Sequence, residues 1–194
     1  MNYTCLHMIP AWKQTLPLHL TFSRVYFLPL MIPAILKTGW TWDLAAAVLF
    51  ILLSLTDAWD GALARRWNVV STFGKFMDPV ADKILVSSVL LTLLSLQKVD
   101  LYLVLLFIAR DTFIGGVRAI AAADHLILDA KSAGKWKTGF QMTGIVLVIL
   151  ESFPWTPWFG TLGRVVLWIS VVLSLFSGYQ YWKAYQDSKK TKGA

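Results

Sequence analysis

Only one cysteine, Cys5, occurs in the 194 residues, which excludes an internal disulfide and leaves no thiolate set for zinc. The three histidines, His7, His19 and His125, have no ligand spacing, so a zinc centre is excluded from that side as well. No internal repeat, low-complexity tract or nucleic-acid motif is present, and nothing marks a second domain. The first sixteen residues lack the basic-then-apolar pattern of a cleaved signal. Residues 1–16 are therefore expected to form a short amphipathic juxtamembrane segment on the cytoplasmic surface.

What the chain has instead is apolar length. Its apolar content of 57% and mean hydropathy of +0.60 exceed the usual soluble range and predict an integral membrane protein. Six apolar blocks recur, at 25–36, 44–55, 84–96, 101–109, 140–150 and 165–182. They predict an all-α fold of six transmembrane helices over 17–186, because a backbone in lipid must satisfy its own hydrogen bonds. A basic tail, 187–194, follows. Most blocks hold about a dozen residues where a span needs roughly 20. The missing length is polar, so one half of several helices is expected to face lipid and the other half to line a cavity. Short buried helices of a soluble core are the alternative.

Under a six-helix arrangement one side collects Lys13, Arg24, Arg65, Arg66, Lys75, Lys83, Arg118, Lys131, Lys135, Lys137, Lys183 and the tail lysines, whereas the other has Lys37, Lys98 and Arg164. Both termini are then cytoplasmic, in a multi-pass protein of the cell inner membrane. The net charge of +7 belongs to a face meeting anionic headgroups and substrates. Trp40, Trp42, Trp155 and Trp158 fall in the short outer turns, as an interfacial aromatic belt does.

Against this apolar background stand four aspartates at fixed intervals. Asp57-Ala58-Trp59-Asp60-Gly61-Ala62-Leu63-Ala64-Arg65 is followed, after a spacer, by Gly74-Lys75-Phe76-Met77-Asp78-Pro79-Val80-Ala81-Asp82. Counting along helices at about 1.5 Å per residue from their outer ends puts Asp57, Asp82, Arg24 and Lys137 roughly 18 to 23 Å in. That depth is a single layer within the cytoplasmic leaflet, and a polar cavity open to the cytoplasm is the expected consequence. At about 100° per residue, Asp57, Asp60, Gly61 and Ala64 share one side of the second helix, and Gly74, Asp78 and Asp82 share one stripe of the third.

Four carboxylates in a low-dielectric layer repel unless several are protonated or divalent cations bind them. Oxygen-only ligands point to Mg²⁺ or Mn²⁺, and two such ions would clamp a phosphoryl group undergoing in-line displacement. Other readings of single residues stay open. Gly61, Ala64 and Gly74 also suit plain helix packing, Asp78 before Pro79 suits a helix cap, and each basic residue suits a snorkelling charge. Intramembrane carboxylates also mark cation transporters, but transport sites are expected near the midplane rather than offset to one leaflet.

The segment Asp57 to Asp82 matches D-x2-D-G-x2-A-R-x8-G-x3-D-x3-D without gap or substitution, and so resembles the signature of the CDP-alcohol phosphotransferase family. The resemblance implies six transmembrane helices, a homodimer, and transfer of a phospho-group from a CDP-linked donor to an alcohol with release of CMP. It implies that Asp57, Asp60, Asp78 and Asp82 hold two metal ions, with Asp82 also the catalytic base. It implies that Gly61, Ala64, Arg65 and Gly74 form the nucleotide and pyrophosphate site, joined by Thr21 and Lys75.

Three further segments narrow the resemblance: Pro17 to Arg24, Ala109-Arg110-Asp111 with Arg118, and Gly134 to Met142. They are similar to the branch of the family that joins CDP-diacylglycerol to sn-glycerol 3-phosphate. A dianionic acceptor needs cations apart from the metals, and Arg110, Arg118, Lys135 and Lys137 are the candidates for its phosphate. Two departures stand out. The family commonly has Asn at the position of Leu18, where His19 is either a substitute or a headgroup-level histidine without a role, and Glu at the position of Asp111.

Overall fold

The computed structural model describes residues 19, 21–37, 39–66, 72–123 and 133–192, with 57–66, 72–76, 78, 122–123, 133–136 and 190–192 described as helical backbone only. Every regular element among the described residues is helical, which makes the fold all-α. In chain order they are α1 (Leu28–Leu36), α2 (Trp40–Arg66), α3 (Thr72–Ser95), α4 (Leu101–Ala123), α5 (Ala133–Ile149) and α6 (Phe159–Lys192). A 3-10 turn, Leu150–Ser152, closes α5.

Helical residues 21–26 lead into α1, and the ladder continues across Phe27. The Phe27 N–H donates to the Ser23 carbonyl at 2.9 Å, and the Met31 N–H donates to the Phe27 carbonyl at 3.0 Å. Pro29, which has no N–H to return to Val25, accounts for the local break. After α1 the chain turns at Gly39, whose φ of +148° lies in a region that side-chain-bearing residues rarely adopt. The Trp42 and Asp43 N–H groups both donate to the Gly39 carbonyl at 3.0 Å, and the Lys37 ammonium lies 4.2 Å from the Trp42 ring centre. The C-terminus of α3 is closed by Gln97 at φ 57°. The Gln97 N–H donates to the Leu94 carbonyl (2.9 Å) and the Lys98 N–H to the Leu93 carbonyl (3.0 Å), the paired bonds of a Schellman stop.

The chain divides into two compact units, Met1–Thr92 and Leu93–Ala194. In the first, α1 packs on α2. The buried positions Leu28, Met31 and Ile35 of α1, and Ala46, Phe50 and Leu53 of α2, recur at helical spacing. In the second, α6 packs along α5 and also against α4. The α5–α6 crossing depends on two glycines. A Cβ at Gly144 would lie 2.7 Å from Leu167 Cγ, and one at Gly163 would lie 2.8 Å from Val148 Cγ2. Small residues that bring helix backbones together are a device of packing in lipid, where no hydrophobic force drives helices into contact.

Large apolar side chains are exposed along several helices, among them Leu52 and Leu91 in the first unit and Leu105, Phe113, Val172 and Phe176 in the second. Each of the six apolar blocks centres on one helix. Among the described residues, however, one helix is long and apolar enough to cross a membrane, Phe159–Lys189, whereas Thr21–Leu36 and Trp40–Thr56 are shorter apolar helices. In α4 the charges of Arg110, Asp111 and Arg118 interrupt a run that would otherwise be continuously apolar.

Candidate active site

The backbone of α2 is helical through Asp57, Asp60, Gly61, Ala64 and Arg65, and that of α3 through Gly74, Lys75, Asp78 and Asp82. The two halves of the signature therefore lie on two successive helices, and Gly74, Asp78 and Asp82 keep an i, i+4, i+8 register. The side chains of Asp57, Asp60, Gly61, Ala64, Arg65, Gly74, Lys75, Asp78 and Lys135 lie outside the described residues. Asp82, half-buried, is the one signature carboxylate whose side chain is described. Among the described residues no group of three or more metal-ligating side chains gathers.

The reading of Asp78 as a helix cap is overturned. Helix α3 starts at Thr72 and runs through Asp78 and Pro79, so Pro79 is interior and not at the first helical position. An interior proline forfeits one backbone hydrogen bond and clashes with the preceding turn, at a cost of ~3 kcal/mol. That this helix nonetheless continues leaves Asp78 in helical register with Asp82 and not at a helix start.

Near the amino end, Thr21 and Arg24 are buried one turn apart, and His19 is exposed. The buried arginine is the largest fully enclosed side chain described.

The second unit contains the best-defined polar cluster, and its centre is Asp111. The Lys137 ammonium of α5 donates to Asp111 Oδ1 at 2.5 Å, and the Arg110 guanidinium of α4 donates to the same oxygen at 2.8 Å. Arg110 Nε also donates to the Ser174 carbonyl of α6 at 2.9 Å. Gly178, one turn on from Ser174, makes this possible, because a Cβ there would lie 3.3 Å from Arg110 Nε. Ser170 Oγ of α6 donates to the Lys137 carbonyl at 2.9 Å and fixes the start of α5. Lys137 is only 7% exposed, so its charge is held in a low-dielectric layer by Asp111.

Of the four cations assigned to an acceptor phosphate, the structure brings Arg110 and Lys137 together through a shared carboxylate. Arg118 is exposed, with its guanidinium carbon 5.0 Å from the Tyr181 ring centre. Sequence reasoning missed Asp111 as the hub, along with Ser170, Ser174 and Gln141. Buried Gln141 lies one turn from Lys137 on α5, and its Nε2 has no hydrogen-bond partner among the described residues, nor has Ser174 Oγ. Small residues repeated at helical spacing in an apolar run, as Ser170, Ser174 and Gly178 are in α6, are the signal that marked this face.

The comparisons with known proteins cover most of the chain. A family model described as CDP-alcohol phosphatidyltransferase matches residues 14–176. A Rickettsia bellii protein named CDP-diacylglycerol--glycerol-3-phosphate 3-phosphatidyltransferase is 34% identical over 172 residues, covering 88% of this chain and 95% of that protein. A Bacillus subtilis protein of the same name is 31% identical over 189 residues, covering 91% and 97%. An Arabidopsis thaliana chloroplastic/mitochondrial protein of that name is 33% identical over 177 residues, covering 84% of this chain and 60% of its own length. The matched span takes in both signature helices and the Arg110–Asp111–Lys137 layer, and on this ground the chain belongs to the CDP-alcohol phosphatidyltransferase family.

Proposed function

We propose that the protein transfers the phosphatidyl group of CDP-diacylglycerol to sn-glycerol 3-phosphate, giving phosphatidylglycerophosphate and CMP. The observation that carries this reading is near end-to-end similarity, at 31 to 35% identity, to bacterial proteins whose name states that reaction. The gap-free aspartate signature on α2 and α3 supports the reaction class, and the paired cations Arg110 of α4 and Lys137 of α5 support a phosphorylated acceptor. As a transferase of phospholipid biosynthesis it has a lipid donor, which suits a membrane-associated family and the apolar α6.

The residues divide the chemistry between them. Asp57, Asp60, Asp78 and Asp82 offer only carboxylate oxygens, a donor set that fits two Mg²⁺ or Mn²⁺ ions and suits neither zinc nor copper. Such ions, when bound, neutralise charge developing on the phosphoryl oxygens. Gly61, Ala64 and Gly74 let the nucleotide and pyrophosphate approach the backbone, with Thr21, Arg65 and Lys75 beside them. The acceptor hydroxyl oxygen bonds to the lipid-side phosphorus as the bond from that phosphorus to the CMP oxygen breaks. Its proton passes to Asp82, and Arg65 offsets the charge on departing CMP. Arg110, Arg118, Lys135 and Lys137 hold the acceptor phosphate.

In the same reading all six helices cross the inner membrane, the termini and a polar cavity face the cytoplasm, and the protein works as a homodimer. The bias of basic residues toward one side and the exposed apolar side chains support the orientation. The test uses purified protein, CDP-diacylglycerol and Mg²⁺, with CMP release followed against glycerol 3-phosphate, phosphatidylglycerol and inositol phosphate. Glycerol 3-phosphate is expected to be the preferred acceptor. Release that depends on no acceptor would overturn the transferase reading, and release that depends on another alcohol would overturn this acceptor.

A further inference from the structure

The Arg110–Asp111–Lys137 layer contains its own anion. Two cations converge on one carboxylate oxygen at 2.8 and 2.5 Å, in a place where Lys137 is 7% exposed. If these cations receive the acceptor phosphate, as proposed above, they do so only by giving up or sharing Asp111. Of the four cations proposed for that phosphate, these two meet at the carboxylate, and Asp111 lowers the charge they present from two to one. With Asp111 ionised the three groups carry one net positive charge, enough to attract a dianion but a weak attraction for a monoanion. Without the carboxylate they would carry two, buried where any anion is drawn in.

The distinction has a physical use at this position. The cations sit on helices beside exposed apolar surface of the kind that meets lipid, and a bilayer offers phosphodiester headgroups at far higher concentration than any soluble acceptor. A phosphodiester carries one negative charge, whereas a phosphate monoester carries about two near neutral pH. Gln141 Nε2, one turn from Lys137, and Ser174 Oγ, on the residue whose carbonyl receives Arg110, are buried and lack partners among the described residues. Buried polar groups of that kind mark a layer suited to a polar ligand.

We propose that Asp111 is a specificity-determining residue, an internal counter-anion that keeps singly charged phosphodiesters off Arg110 and Lys137 and yields to a phosphate monoester dianion. The side chain acts by competition and not by touching the reacting phosphorus. Asp111→Asn keeps the size of the group and one oxygen for both donors, and removes the charge while turning the second oxygen into an amide NH2.

The test compares dimethyl phosphate, a soluble phosphodiester, with methyl phosphate, a monoester, as inhibitors competing with glycerol 3-phosphate. For the unaltered protein, methyl phosphate is expected to inhibit at about tenfold lower concentration than dimethyl phosphate, the ratio for one charge-assisted hydrogen bond. In Asp111→Asn the dimethyl phosphate inhibition constant should fall about tenfold, and in Asp111→Glu it should stay near that of the unaltered protein. Equal inhibition of the unaltered protein by the two esters would overturn the proposal even if no variant folds. So would an unchanged dimethyl phosphate constant in Asp111→Asn. A separate arm, Lys137→Met, tests the acceptor site itself. If it leaves the acceptor KM untouched, that assignment fails and the competition falls with it. If the acceptor KM rises while Asp111→Asn changes nothing, the competition alone is wrong.

Discussion

Gly163 of α6 lies so close to Gly144 of α5 that a Cβ at position 163 would stand 3.0 Å from the Gly144 carbonyl oxygen and 2.9 Å from the Val148 nitrogen. Those neighbours are backbone and cannot turn aside. Gly163→Ala is therefore expected to force α5 and α6 apart, at about 1–3 kcal/mol, the usual cost of overpacking. Gly144→Ala meets mainly the Leu167 side chain, at 2.7 Å from Cγ, which can change rotamer. It should cost less. Thermal melts of the two variants in detergent check the order, and equal shifts would mean the crossing is looser than its geometry implies.

Gly178 bears on the cation layer in the same way. Its missing side chain gives Arg110 its path to the Ser174 carbonyl. Gly178→Val should displace the guanidinium and raise the acceptor KM by about tenfold or more, the loss of one charge-assisted hydrogen bond, with a smaller change in donor KM. Steady-state kinetics with each substrate varied in turn check this. A larger change in donor KM would move Arg110 out of the acceptor pocket.

Much of the architecture was legible because lipid leaves the backbone few choices. Apolar blocks at 44–55 and 165–182 had to be helical, and α2 and α6 contain them. The aspartate register was legible too, since fixed spacing and helical geometry determine each other. What could not be read was pairing between distant helices. Asp111 follows Arg110 directly, and adjacent residues on a helix do not normally face each other. Its link to Lys137, 26 positions away, left no mark in the spacing. The glycines of the α5–α6 crossing were equally silent, because a glycine in an apolar run looks the same whether or not a second helix presses on it. Asp78-Pro79 imitates a helix start, the alternative left open for Asp78, and the preceding turns of α3 exclude it.

Arg118 is exposed over the Tyr181 ring, at 5.0 Å, so its aim depends on an aromatic side chain of α6. If Arg118 serves the acceptor, Tyr181→Ala should raise the acceptor KM by about two- to fivefold, the equivalent of a surface cation–π contact. Tyr181→Phe retains the ring face and should behave like the unaltered protein. Lys135→Ala should likewise raise acceptor KM more than donor KM, which the same kinetic assay reads. Indistinguishable values for Tyr181→Ala and Tyr181→Phe would mean that the stacking does not orient Arg118.

Asp82 is assigned two tasks that compete, since a carboxylate bound tightly to a metal ion is a weak base. Asp82→Asn keeps the shape of the group while removing both its charge and its ability to accept a proton. Turnover should fall by at least about a hundredfold, the lower end of what a positioned base contributes. Binding of CDP-diacylglycerol in the presence of Mg²⁺, measured by calorimetry, should weaken far less, because Asp57, Asp60 and Asp78 remain. Chelation of the metal should instead abolish donor binding and turnover together. The contrast between the two treatments separates the roles. If Asp82→Asn loses donor binding as completely as chelation does, Asp82 is principally a ligand; if it retains turnover, the proton goes elsewhere.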